Sequence, residues 1–69
     1  MTTPTPGLDL HFRVRAGFVA QRTSLKRWCR ENDIQPTNAR DALIGRWDGP
    51  KGRALRARLV EAAKVQEAA

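Results

Sequence analysis

Apolar residues fall at helical spacing in four separate runs, and each run stops at a residue that suits a helix end better than a helix interior. Leu10, Val14 and Phe18 stand at i, i+4 and i+8, with Val19 beside them. Leu25, Trp28 and Cys29 stand at i, i+3 and i+4, and Ala39, Ala42 and Leu43 repeat that spacing. Leu55, Leu59, Ala62 and Gln66 stand at i, i+4, i+7 and i+11. Each set forms a one-sided stripe on a helix. Thr23 or Ser24 can cap a helix that runs to about Glu31. Asn32 tolerates the left-handed conformation that ends a helix. Pro36 suits a first helical position, and Gly45 can close the helix it opens. Trp47-Asp48-Gly49-Pro50 reads as a turn, with Pro50 starting the last helix. Strict alternation occurs only in Leu8 to Val14, where LDLHFRV admits a short strand. A helix is preferred there, because Arg15 to Arg22 continues without a turn signal, although Gly17 weakens it. The pattern predicts an all-α chain of four short helices with no sheet of any size.

The frame is small. Sixty-nine residues make one domain. Residues 1–7, MTTPTPG, have no periodicity and little apolar mass, and are expected to form a disordered tail. Residues 8–64 form the domain, and 65–69 are expected to fray. One histidine, one cysteine and no tyrosine leave the usual acid–base and metal-binding kits nearly empty. No paired carboxylates or nucleophile–base pair stand out, so no enzyme activity, cofactor, metal or small-molecule substrate is expected. A lone cysteine cannot form an internal disulfide or a multi-thiolate zinc site. No stretch approaches the roughly 20 apolar residues of a membrane span, and residues 1–7 lack a signal-peptide pattern. A cytoplasmic protein is expected. His11 has no ligand partner and reads as a surface or partly packed residue. Cys29, Trp28 and Trp47 read as core.

Ser24 to Gly45 carries the functional reading. A helix of about eight residues, a break of about three and a helix of about nine have helix-turn-helix spacing. Cys29 is small where the second helix must cross the first. Ile34 can plug the turn. Ala39, Ala42 and Leu43 give the second helix a narrow buried face, and the alanines permit close approach. Gln35, Thr37, Asn38, Arg40 and Asp41 occupy the polar start of that helix, where side chains reach base edges. Asn38 can give one adenine edge both a donor and an acceptor, or it can cap the helix. Asp41 can orient an arginine instead of reading a base. The turn usually holds a glycine before the plug residue. Here Asp33 stands there, and either Asp33 or Asn32 can take the left-handed conformation.

The stretch from about Val14 to Lys64 resembles phage and prophage regulators of the lambda-repressor-like class, of the Cro or Ner type. The residues that carry it are Ser24-Leu25-x-x-Trp28-Cys29-x-x-Asn32, Ala39-x-x-Ala42-Leu43-x-Gly45-x-Trp47-x-Gly49-Pro50, Leu55-Arg56-x-Arg58-Leu59 and Ala62-Ala63. It covers about three quarters of the chain, and only the Leu-x-Gly-x-Trp-x-Gly-Pro run is moderately specific. The resemblance implies a compact four-to-five-helix lambda-repressor-like helix-turn-helix domain. It also implies that the helix over residues 36–44 docks in the major groove of double-stranded DNA to regulate transcription, commonly as a homodimer, with Gln35, Thr37, Asn38, Arg40 and Asp41 facing bases.

Charge placement agrees independently. Thirteen basic and seven acidic residues leave a net charge of +6, with a pI near 11.1, which favours a polyanionic partner. The excess avoids Glu31 to Ala42 and brackets it in the chain. Arg22, Lys26 and Arg27 before it, with Arg46, Lys51 and Arg53 after it, are the phosphate-contact candidates. Arg53 sits in a helix first turn, where the dipole disfavours a cation, which suggests an anionic partner. Arg56 and Arg58 read equally well as solubilising residues. The leading expectation is a DNA-binding regulator, a repressor of phage or prophage type, on the nucleoid of a bacterial host cell. The alternative is an excision factor that bends attachment-site DNA. RNA binding is disfavoured, because the four aromatic residues fall mostly on apolar stripes. For a homodimer, pairing at least on DNA, the chain offers little spare apolar surface. Leu8 to Val14 and Leu59 to Ala69 are its candidate segments.

Overall fold

The computed structural model describes residues 5–65. It contains four α-helices, α1 (Leu8–Ala20), α2 (Leu25–Glu31), α3 (Pro36–Ile44) and α4 (Pro50–Ala63), and no strand among the described residues. No helix there is long and apolar enough to cross a membrane. The alternating segment Leu8 to Val14 is helical. The i, i+4, i+8 set decides this, since Leu10, Val14 and Phe18 are all buried on one face. Gly17 has a packing reason for its place in this helix. A Cβ there would collide with the backbone carbonyl of Ala63, so glycine lets α1 and α4 cross closely.

Leu10, Val14, Phe18, Cys29, Ala39, Ala42, Leu43, Leu55, Leu59 and Ala63 form one buried cluster. Trp28, Ile34 and Trp47 pack against its edge, half-buried. In α4 the buried face is Gly52, Leu55, Arg56, Leu59 and Ala63. Ala62 is only half-buried, and Gln66 lies outside the described residues, so the expected α4 stripe is turned slightly. Helices α1 and α3 each pack against every other helix, whereas α2 and α4 have no direct backbone packing. The Arg58 side chain bridges that gap. Its guanidinium lies 5.5 Å from the Trp28 ring centroid and donates to Asn32 Oδ1 at 3.4 Å. Arg58 therefore does more than solubilise a face.

The helix ends show how the connections stay short. Ser24, not Thr23, caps α2, its Oγ accepting from the Arg27 N–H at 3.0 Å. Helix α1 ends at Ala20, before Arg22, which takes a left-handed φ of 63°. Asn32 is not left-handed. It keeps φ −106° and its amide donates to the Trp28 carbonyl at 2.8 Å, while Asp33 turns left-handed at φ 57°. Thr23, Ile34 and Val65 each donate to a carbonyl five residues back, Phe18, Cys29 and Val60, around left-handed Arg22, Asp33 and Lys64. Three helices thus end in the same double-bonded motif, closed each time by a residue other than glycine. Val65 is consequently tied to α4 and packed on the core, where a fraying end was expected; residues 66–69 lie outside the described residues. Gly7 departs from the expected tail as well. Its N–H donates to the Leu43 carbonyl at 2.9 Å, and residues 1–4 lie outside the described residues.

Helix α3 is fastened at its C-terminal end from three directions. Gly45 is left-handed at φ 92°, and the N–H groups of Gly45 and Trp47 both donate to the Asp41 carbonyl at 3.1 Å. The Leu43 carbonyl takes the Gly7 N–H. The Ala42 carbonyl takes Arg56 Nε at 2.8 Å. Arg56, a candidate solubilising residue by sequence, is 6% exposed. Its other end donates to Asp48 Oδ1 at 2.6 Å. Hydrogen bonds from Arg56 and then Arg53 hold the Asp48 carboxyl below the usual carboxylate range. That stabilising contribution is present above the ordinary carboxylate value and lost as pH falls through the lowered one.

Two outcomes follow from these ends. Arg56→Met keeps the apolar stem but leaves the Ala42 carbonyl without a donor, and should lower unfolding free energy by about 1–3 kcal/mol. Asp33→Gly removes the left-handed penalty at an exposed turn and should raise it by about 1 kcal/mol. Urea denaturation midpoints check both.

Candidate nucleic-acid interface

Helix α3 divides its residues by register. Ala39, Ala42 and Leu43 face the core and are fully buried. Gln35, Thr37, Asn38 and Arg40 are exposed, and Asp41 is half-buried. Pro36 at the first position supplies a preset φ, and Gln35 precedes it in extended conformation without a side-chain cap. Asn38 is therefore not used as the cap. None of the side chains of Gln35, Thr37, Asn38 or Arg40 makes a hydrogen bond or ion pair among the described residues. Asp41 orients no arginine. Its backbone carbonyl instead anchors the turn after α3.

The six cations expected at phosphates separate into two groups. Arg22, Lys26, Arg46 and Lys51 are exposed and have no ion-pair partner among the described residues. Arg27 meets Glu31 at 3.7 Å, one turn along α2, with both side chains exposed. Such a pair contributes little and opens easily. Arg53 donates through Nε and Nη2 to both Asp48 oxygens at 3.4 Å. The anionic partner expected for Arg53 is thus present within the chain, and its guanidinium is the least free of the six.

Two further groups adjoin α3: His11, which by sequence reads only as a surface or partly packed residue, and Arg15, which by sequence has no assigned role. His11 and Arg15 lie one turn apart on the flank of α1 beside its buried stripe. Both Arg15 and Arg40 are close enough to His11 to act on its charge. Burial first, then these two cations, hold the His11 pKa below the ordinary imidazole value. The signal was available: positions 11 and 15 each follow a core residue, 10 and 14, so they share the flank that borders the packing neighbour. Cys29 belongs to no site. It is fully buried between helices, and burial pushes its thiol up, which keeps it protonated and unreactive. Trp28 stacks its edge-buried ring at 5.9 Å from Phe18. Among the described residues no group of three or more His, Cys, Asp or Glu is placed to hold a metal ion.

No family model, curated protein or solved structure matches the chain.

The His11 arrangement is open to measurement. A lowered histidine pKa means that the unfolded chain binds more protons near pH 6.5. The stability is fully present above that value and is partly lost as pH falls below it. Arg40→Ala should raise the His11 pKa toward the ordinary value, seen in the imidazole resonances during an NMR titration. An unmoved pKa would mean that Arg40 does not face α1.

Proposed function

We propose that this protein is a sequence-specific regulator that binds double-stranded DNA, with α3 as the reading helix of a helix-turn-helix pair formed by α2 and α3. The reading extends to a repressor of phage or prophage type acting in the cytoplasm of a bacterial host cell. The observation that carries it is the combination found on α3. Its solvent face offers Gln35, Thr37, Asn38 and Arg40 with no side-chain partner among the described residues, while its far end is fixed by three separate hydrogen-bonded contacts. A reading helix needs both properties, free polar groups at its start and a rigid seat.

Each residue has a role in this reading. Asn38 presents an amide that matches an adenine edge, and Arg40 presents a fork that matches guanine. Gln35 and Thr37 flank them at the helix start. Asp41, half-buried, sits at the margin of the set. Arg22, Lys26, Arg46 and Lys51 touch phosphates and set register without reading sequence. Arg27 joins them by releasing Glu31. Arg53 contributes less, because Asp48 already holds it.

Selection of bound sequences from a random duplex pool is the deciding experiment, and a recovered consensus is the expected result. Asn38→Ala and Arg40→Ala should each cost about 1–3 kcal/mol on that consensus and little on random duplex. Lys26→Ala and Lys51→Ala should weaken binding to every sequence and reduce the slope of log K against log salt by about one each. Equal losses on all sequences from the α3 variants would overturn the assignment of base reading to α3.

A further inference from the structure

Helix α1 is apolar on two opposite sides. Leu10, Val14 and Phe18 fill the core. Leu8, Phe12 and Val19, on the far side of the same helix, are 58%, 59% and 67% exposed, and exposed Ala16 continues their line. A surface helix normally carries one apolar stripe. The second stripe has no partner among the described residues.

We propose that this stripe is the contact between two copies of the chain, packed as an antiparallel pair of α1 helices about a two-fold axis. The proposal rests on the DNA-binding reading above and names the surface that would bring two reading helices together.

Three observations favour a second copy as the occupant. The stripe is self-complementary. In an antiparallel pair, Phe12 of one copy meets the small Ala16 of the other and Leu8 meets Val19, each pair occurring twice, as an isologous contact requires. The flanks differ in charge. On one side Asp9 and Arg13 neutralise each other at 3.0 Å. On the other, Arg15 is cationic, and its flank, shared with His11, runs toward Arg40 of α3. A two-fold axis across an antiparallel pair places like flanks on the same side. Both cationic flanks, and both α3 helices beyond them, would then face the same way. That is the arrangement two half-sites of one duplex require. Area is the third observation. The stripe exposes roughly 300–400 Å² of apolar surface per copy, about half of the ~800 Å² per partner in a standard stable complex. Such a contact holds poorly alone, and more poorly with like charges gathered beside it. A polyanion lying across the cationic flanks removes that repulsion.

The tests use the full chain, with helical circular dichroism confirming that Phe12→Ser and the Leu8→Ser/Val19→Ser pair stay folded. Without DNA, sedimentation equilibrium should show self-association that tightens between about 0.1 M and about 1 M salt, as the Debye length falls from about 10 Å to about 3 Å. Both variants should abolish it. Association that weakens with salt, or that survives in the variants, overturns the proposal. On duplexes carrying two selected sites, wild type should bind the second copy about tenfold more tightly than the first. The variants should lose that cooperativity and keep single-site affinity. A wild type without cooperativity overturns the proposal, whereas failure to bind even one site overturns the DNA reading and leaves the salt experiment to judge the stripe. Adsorption of wild type to phosphatidylglycerol vesicles, lost in the variants, assigns the stripe to lipid and also overturns it.

Discussion

The carbonyl of Ala42 accepts a hydrogen bond from a buried arginine, and much of the architecture is arranged around that bond. A helix C-terminus leaves its last four carbonyls without intrahelical donors. In α3 three of them are supplied from outside the helix: Asp41 by the following turn, Ala42 by Arg56 of α4, and Leu43 by Gly7 ahead of α1. A guanidinium suits the position, because the helix dipole concentrates negative potential there. Burying it would be costly if either end lacked an acceptor. Asp48 meets that need at 2.6 Å while its own carboxylate stays half in water. The corner between α3 and α4 is therefore an ionic clasp on a hydrophobic core of ten residues.

The surface electrostatics follow from the same economy of acids. Asp9, Glu31 and Asp48 are spent on arginines of their own neighbourhood. Arg15, Arg22, Lys26, Arg30, Arg40, Arg46, Lys51 and Lys64 are left without ion-pair partners among the described residues. A net charge of +6 is thus not spread evenly over paired networks. It concentrates in cations available to an external anion, at the connections that lead into and out of the α2–α3 pair and along one flank of α1.

Most of the helical frame was legible because the residues that stop a helix are chemically distinctive. Ser24, Pro36, Gly45 and Pro50 act through local geometry alone, and each does in the structure what its side chain or ring dictates. The exposed face of α3 was legible for a similar reason, since three buried positions in nine residues leave one orientation. What sequence could not rank were choices between neighbours. Asn32 and Asp33 both tolerate left-handed φ, and the outcome turned on Asn32 finding the Trp28 carbonyl. Gly7 looked like tail because its partner, Leu43, is distant in the chain. Arg56 was missed because charge was taken as a sign of exposure. Its register argued otherwise: 52, 56, 59 and 63 share one face of α4, and Arg56 lies among them. The readings of Asn38, Arg40 and the phosphate cations gain from the structure only their accessibility, because recognition depends on a partner.

The contact of Gly7 with Leu43, and of Pro6 with the corner at Gly45, fixes where the described chain begins. Anything attached just ahead of Thr5 is delivered beside the junction of α3 and α4. A fluorophore coupled there would sit within a few residues' reach of the clasp and of Arg46, and would report on events at that corner. A bulky fused domain at the same point would crowd it. The opposite end leaves from α4 where Gln21 Nε2 donates to the Ala62 carbonyl at 3.0 Å, on the side that closes against α1. The two ends of the described chain are therefore different tools: one addresses the C-terminal end of α3, and the other the seam between the first and last helices.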